Sequence, residues 1–297
     1  MRSRKVFLVL IIAGALIAAA VFVSTRNLPA DPILPSPNGY DDFIKAAQIA
    51  FPDTSNFHEM DHEQLRAFVA KNSEALALVR VGLSRQSRVP TADAQTNMTG
   101  HMTSLGKMKM LAQALNAEGL LAEMDHRADD AMHSYVDIIK FGNDATRGGP
   151  LIDALVRVAC ETYGITALQT LNTNLNANQC RELVRSLEAI EKTRETTEQV
   201  FVNEKNWIRG LPFHQRFTGF FAMIFGDPTL KKVKSSATLK FHAKDKQRLE
   251  LMIQVAVRAF ELEKGTPPKT ISDLAPDYLK TIPTDPLTGT NMVWKSQ

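Results

Sequence analysis

From residue 39 onward, apolar residues return at intervals of three and four, in runs separated by short polar breaks. Phe43, Ala46, Ala47 and Ala50 mark a short first helix, opened by Asp41 or Asp42 as its cap. A second helix is expected from His62 to about Val81, with Leu65, Phe68, Val69, Leu76 and Val79 facing inward. Asp61 and Gln64 precede that run in capping-box spacing, which lets the Asp side chain take an orphan amide. Residues 84–103 are polar, contain Pro90 and read as a loop with at most one turn of helix. Two helices follow over residues 104–123 and 128–141, joined by a short connection. Gly148, Gly149 and Pro150 then break the chain before a helix over 151–171. One long helix is expected from about Asn178 to Trp207. Its middle, 188–198, is dense in opposite charges at i,i+4 spacing, which suits a solvent-facing surface. Gly210, Leu211 and Pro212 interrupt, and residues 213–225 are rich in aromatics, a composition read as core before membrane surface. A last helix runs over 240–264, with Leu249, Met252, Ile253, Val255, Ala256 and Phe260 inward. Only residues 291–294 read as extended. The pattern predicts an all-α fold of helical hairpins ending in a small irregular tail.

The first residues obey a different rule. Arg2, Arg4 and Lys5 precede an apolar run, Val6–Val23, long enough at 1.5 Å per residue to cover roughly 27 Å, close to a bilayer core. With its basic flank held in the cytoplasm, this run is expected to be an uncleaved signal-anchor, residues 1–24, at a bacterial-type inner membrane. Ala18 and Ala20 offer the alternative of a cleaved signal peptide, but the run continues through Val21, Phe22 and Val23. Residues 25–39 hold Pro29, Pro32, Pro35 and Pro37, a density that favours a semi-rigid extended spacer. Residues 40–264 then form a helical domain in the periplasm or exterior, and 265–297 its tail.

Composition adds little to this. Of 297 residues, 44% are hydrophobic and 23% charged, and the net charge of +3 lacks the basic footprint of a nucleic-acid binder. The most basic stretch, Lys231, Lys232, Lys234, Lys240, Lys244, Lys246 and Arg248, reads as a solvated face. The two cysteines, Cys160 and Cys180, fall on successive antiparallel helices at levels on the order of 15 Å apart. That is beyond the roughly 7 Å between Cα atoms that a disulfide tolerates, so two buried free thiols are expected.

One string looks catalytic. His58, Glu59, Met60, Asp61 and His62 spell H-E-x-x-H, which in zinc metalloproteases lies within one helix and sets both imidazoles on one face. Here Asp61 reads as a helix cap, so His58 precedes the helix. Charged Asp61 and Glu63 occupy positions normally uncharged, and Glu74 stands on an alanine-rich surface pattern. His58, Glu59 and His62 remain the metal candidates, with a solvated helix entrance as the favoured reading. No nucleophile elbow, phosphate loop or dinucleotide fingerprint is present, so no catalytic residue and no cofactor is nominated. His126 and His133 lie near a turn as surface or capping residues. Asp129 and Asp130 are helix-start charges favoured by the dipole.

Two resemblances concern architecture. Gly119, Asp129, Asp130, Ala131 and Tyr135 resemble a single tetratricopeptide-type hairpin, in which a small residue lets two helices close and an aromatic fills the gap; His126 stands where a turn glycine is usual, no proline closes the unit, and no second copy follows. The C-terminal residues Gly265, Pro267, Pro268, Ile271, Leu274, Tyr278, Leu279, Pro283, Asp285, Pro286 and Gly289 resemble the end of the major pseudopilin of type II secretion systems. The pilin N-terminal cleavage site and glutamate are missing. The tail is also similar to that of uncharacterised membrane-anchored bacterial helical proteins. The pseudopilin resemblance implies a late acidic loop able to hold calcium, with Asp285 its one carboxylate. The expected function is a non-enzymatic, membrane-anchored envelope protein with a partner-binding or scaffolding domain. The alternatives are a membrane-tethered zinc hydrolase using the HEMDH string and a pilin-like assembly subunit.

Overall fold

The computed structural model describes residues 33–51, 57–211 and 228–294. Among these, the helices are α1 Gly39–Ile49, α2 His62–Leu83, α3 Thr91–Thr96, α4 Met98–Met124, α5 Ala128–Thr146, α6 Leu151–Leu171, α7 Ala177–Thr193, α8 Thr197–Gly210 and α9 Pro228–Lys264. Short 3-10 turns lie at Phe57–Glu59, Asn172–Asn174 and Ile271–Leu274. The described residues contain no strand, only one isolated antiparallel bridge between Thr284 and Asn291. The all-α expectation holds. Among the described residues no helix is long and apolar enough to cross a membrane. The Val6–Val23 run, residues 25–32 of the spacer and the aromatic stretch 213–225 lie outside the described residues.

Neighbouring helices pack in sequence: α1 on α2, α2 on α4, α4 on α5, and α5 on α6; α9 then closes against α7 and α6. A single continuous core runs through the array, from Phe43 and Leu65 through Leu111, Tyr135 and Ile165 to Leu187 and Val255. A smaller cluster of Ala154, Val200, Ala237 and Phe241 joins α6, α8 and α9 beside it.

The helix ends show where local pattern suffices. Asp61 accepts from the Gln64 amide at 2.9 Å while the Gln64 side chain accepts from the Asp61 amide at 3.1 Å, closing the expected capping box. α1 departs from expectation: its cap is Asn38, whose Oδ1 accepts from the Tyr40 amide, and Asp42 is instead buried and paired with Arg85 at 2.6 Å. α4 begins at Met98 under Asn97, earlier than the polar composition of 98–103 suggests, because His101 in its first turn faces the interior. α5 runs on to Thr146 for the same reason, with Asn143, Asp144 and Thr146 buried and hydrogen-bonded.

The long helix expected over 178–207 is two helices. Arg194 leaves the helix with ψ of 138° and Thr196 caps α8 by accepting from the Gln199 amide. Cys160 and Cys180 are free and buried, as expected, and burial pushes their thiols up to about 12 and about 11.

Gly119 on α4 lies flat against the Tyr135 ring of α5: a Cβ at Gly119 would stand 2.2 Å from a ring carbon. The connection turns through His126, the residue of positive φ (57°) at the bend. Gly265 ends α9 with φ of 72°, donating to the Glu261 carbonyl. Leu274 and Leu279 are buried and pin the tail back onto the core. Tyr278 packs on Phe260 at 5.3 Å and beneath the Arg181 guanidinium at 4.3 Å. Arg181 in turn grips Glu263 with two bonds, 2.6 and 2.8 Å long, so α7, α9 and the tail share one clasp.

Two measurements follow from this packing. Gly119→Ala should lower the free energy of unfolding by about 1–3 kcal/mol in urea titration, because the ring or the helix must move aside. Arg181, then Tyr278, hold the Glu263 carboxyl down at about 2. A depressed carboxylate stabilises above its unfolded pKa and loses that contribution as pH falls through the folded one. Hydrogen exchange over residues 270–280 should therefore quicken between about pH 4 and about pH 2. Arg181→Ala should abolish that pH dependence.

Candidate functional site

The residues nominated by the HEMDH string do not converge. His58 and Glu59 sit in the 3-10 turn ahead of α2, both exposed, with His58 stacked on Phe57 at 4.0 Å between centroids. His62 is the first residue of α2, and its Nε2 is bonded to Asp125 Oδ1 at 2.6 Å. That bond, then Arg127, holds the Asp125 carboxyl below its usual range. Because the two imidazoles belong to different elements, they share no helical face. Among the described residues, no group of three His, Cys, Asp or Glu side chains is placed to hold a metal ion. An open hollow of about 380 Å³ lies over α2, lined by Phe51, Met60, Gln64, Ala67, Phe68 and Lys71, none of them a carboxylate, imidazole or thiol.

The other nominated groups serve the backbone or a neighbour. Asp285 accepts from the Leu287 and Thr288 amides and pairs with Lys246 at 3.0 Å; those contacts lower its pKa. His133 meets Glu182 on the surface at 2.9 Å. Asp129 accepts from Gln179, and Asp130 pairs with Arg127.

The chemistry that sequence reading missed lies on α6. Asp153, Arg157 and Glu161, four residues apart, form a stripe of charge on its buried face, exposed by only 0%, 2% and 0%. Ala154, Cys160, Ile165 and Leu168 share that face, so the ionisable groups run between the main core and the small cluster around Phe241.

At one end of the stripe, Glu161 meets the guanidinium of Arg194, whose side chain is 5% exposed. Arg194 reaches Asp245 of α9 at 2.8 Å. Arg248, 2% exposed, bonds Glu191 of α7 through Nε at 2.8 Å and Asp245 through Nη1 at 3.1 Å, and its Nη1 lies 3.8 Å from Glu161. Burial opposes ionisation of Glu161, but Arg194, Arg248 and Arg157 outweigh it and hold the carboxyl below its ordinary range. Arg157 itself lies 5.8 Å from the Phe241 ring centroid, and its Nε has no hydrogen-bond partner among the described residues. Burial, then the neighbouring Arg194, lowers its pKa.

At the other end, Asp153 meets His101 of α4 at 2.9 Å with both groups buried. Burial pushes Asp153 upward, with the His101 bond opposing. The stripe thus ties α6 to α4 at its start and to α7, the α7–α8 junction and α9 along its length.

Compared with protein families, curated proteins and solved structures, the chain matches none. The functional reading therefore rests on this chain's own geometry.

A sequence signal for the stripe exists: Asp153, Arg157 and Glu161 recur at the period that places Ala154, Ile165 and Leu168 inward. What the period cannot supply is the partner. Arg194 lies in a segment dense with charge, and Arg248 ends a basic stretch; both read as solvated until the fold brings them onto α6. These two are corrections, since each side chain is almost wholly buried.

Arg248→Ala should lower stability by about 3–5 kcal/mol, because Glu161 and Glu191 lose a buried counter-charge. Replacing Glu161, Arg194 and Arg248 together by Leu, Met and Met should recover most of that loss in the same urea titration.

Proposed function

We propose that this protein is a non-enzymatic scaffold or partner-binding domain, tethered to a membrane by Val6–Val23 and presented outside the cytoplasm on its proline-rich stem. One observation carries the non-enzymatic part: the buried charges Glu161, Arg194 and Arg248 are spent on one another and on Glu191 and Asp245 across α6, α7, α9 and the α7–α8 junction. A hydrolytic site needs a base and a nucleophile or metal facing a space that substrate can enter. Here the nearest metal-binding pattern is divided between two elements, and His62 is engaged by Asp125. The anchor rests on the basic flank and apolar length of the first residues. The helical-hairpin array offers broad faces of the kind that bind other proteins, by analogy of architecture alone.

Cell fractionation and in-cell crosslinking of the full-length chain test the reading. The protein should stay with the membrane fraction through a carbonate wash and be cleaved by protease added from outside. Crosslinking should recover a defined envelope partner, and Arg209→Glu or Lys205→Glu on the exposed face of α8 should leave the fold intact while serving to map its contact. Stoichiometric zinc, lost in His62→Ala together with a peptidase or esterase activity, would sink the proposal.

A further inference from the structure

The α8–α9 pair reaches past one end of the helical array. Ala237 of α9 packs with Ala154 of α6, the Phe241 ring lies 5.8 Å from the Arg157 guanidinium, and Arg248 reaches Glu161. Residue numbers rise together along the two helices, so α9 runs parallel to α6. α8 runs the other way. Its Val200 joins Ala154, Glu204 accepts from the Leu151 amide at 2.7 Å, and the Trp207 carbonyl accepts from Gln95 of α3 at 2.9 Å. Because α6 begins at Leu151, residues 205–210 of α8 and 228–233 of α9 continue beyond it, roughly 9 Å of helix each.

That overhang stands at the end where the domain receives its N-terminal stem. Ile33 and Leu34 are exposed, and Asn38 fastens the entering chain by donating to the Arg88 carbonyl at 2.9 Å. The next residue, Val89, donates to the Arg147 carbonyl just after α5, and α3 begins two residues further on. The stem, the close of α5, the opening of α6 and the end of α8 thus share one end of the molecule. The chain from Val23 to Ile33 spans at most about 35 Å even when fully extended. With Val6–Val23 in a bilayer, this is the end of the domain held near the surface.

The overhang and the turns behind it are basic. Lys205 and Arg209 on α8 and Lys232, Lys234 and Lys240 on α9 are all exposed. The one carboxylate within 199–211 and 228–244 is Glu204, which is turned inward to the Leu151 amide. Asp41 of α1 and Asp93 of α3 are exposed on the neighbouring elements, so the positive excess is confined to the hairpin. Ile208, between Lys205 and Arg209 along α8, is exposed as well. An apolar side chain flanked by long basic ones suits a headgroup layer, because the basic stems lie along apolar surface while their charges meet phosphate.

We propose that the α8–α9 overhang is a membrane-docking surface: Lys205, Arg209, Lys232 and Lys234 meet anionic phospholipid headgroups, and Ile208 enters the layer between them. The proposal rests on the anchor read from Val6–Val23, which supplies the nearness that so small a contact needs. Docking sets the domain upright and turns its opposite end, at the α6–α7 connection, away from the bilayer.

The full-length protein tests this in vesicles of phosphatidylcholine alone and of phosphatidylcholine with phosphatidylglycerol in equal parts. A polarity-sensitive fluorophore on Ile208→Cys, its apolar body standing in for the isoleucine, should shift to the blue in the anionic vesicles. It should be quenched there by nitroxide-bearing lipid and return to an aqueous signal in high salt. Cys160 and Cys180 are buried and stay unlabelled in the folded protein. The same label on Thr173→Cys, at the α6–α7 connection, should remain aqueous in both vesicles. Lys205→Glu with Arg209→Glu should lower the docked-to-free ratio by about tenfold or more, with circular dichroism unchanged. Loss of the chain from neutral vesicles in a carbonate wash overturns the anchor, and the docking with it. Retention with a label at 208 that stays aqueous in the anionic vesicles overturns the docking alone. So does a signal equal in both vesicles, one indifferent to salt or to the double charge reversal, or one that appears only when envelope proteins are added.

Discussion

A carboxylate without access to water must be neutralised by its surroundings, and in this protein that requirement falls on Glu161. Its placement on the inward face of α6 draws Arg194 from the α7–α8 junction and Arg248 from α9, with Asp245 and Glu191 balancing the guanidinia in turn. Each side chain is held by groups on other elements, so the relative positions of α6, α7 and α9 are set together. An apolar interface tolerates some sliding; a buried ion network does not, because a small displacement strands a charge. The break between α7 and α8 belongs to the same arrangement: the chain departs from helix at Arg194, the residue that must turn inward.

The stripe on α6 also divides the interior. On one side lies the continuous core shared by α1, α2, α4 to α7 and the second half of α9; on the other, the small cluster of Ala154, Val200, Ala237 and Phe241. α8 and the start of α9 therefore join the body through a modest apolar contact and a line of polar bonds. At the far end of that line, His101 and Asp153 connect the first turns of α4 and α6. The Glu161 end is balanced by several cations, whereas the Asp153 end is short of them.

Much of the helical order was legible along the chain. The Asp61–Gln64 capping box, the α6 boundaries, the glycine stop at Gly265 and the buried Leu274 and Leu279 all follow from local rules: an orphan amide needs an acceptor, a left-handed turn favours glycine, and leucines spaced along one side seek cover. The close contact of Gly119 with Tyr135 is equally local, since only two helices joined by a short turn are involved. Errors gathered where polar residues turned inward. His101 concealed the start of α4, Asn143 and Asp144 the end of α5, and Arg194 the end of α7, because a pattern of apolar positions takes polarity to mean exposure.

By itself the sequence determined that the described residues are helical, where α2 and α6 start and stop and where α9 ends, and that its two thiols are free. Those properties depend on contacts within about a turn of helix or across one short connection, where spacing along the chain and distance in space are nearly the same thing. Only the tertiary structure decided that His62 is taken by Asp125, and that Asp153, Arg157 and Glu161 lie under cover. The partners of those groups are 33 to 87 residues away along the chain, as Glu161 is from Arg194 and Arg248. Whether a charge at such a position meets water or a counter-ion depends on which helix is laid across it, and no local period records that choice.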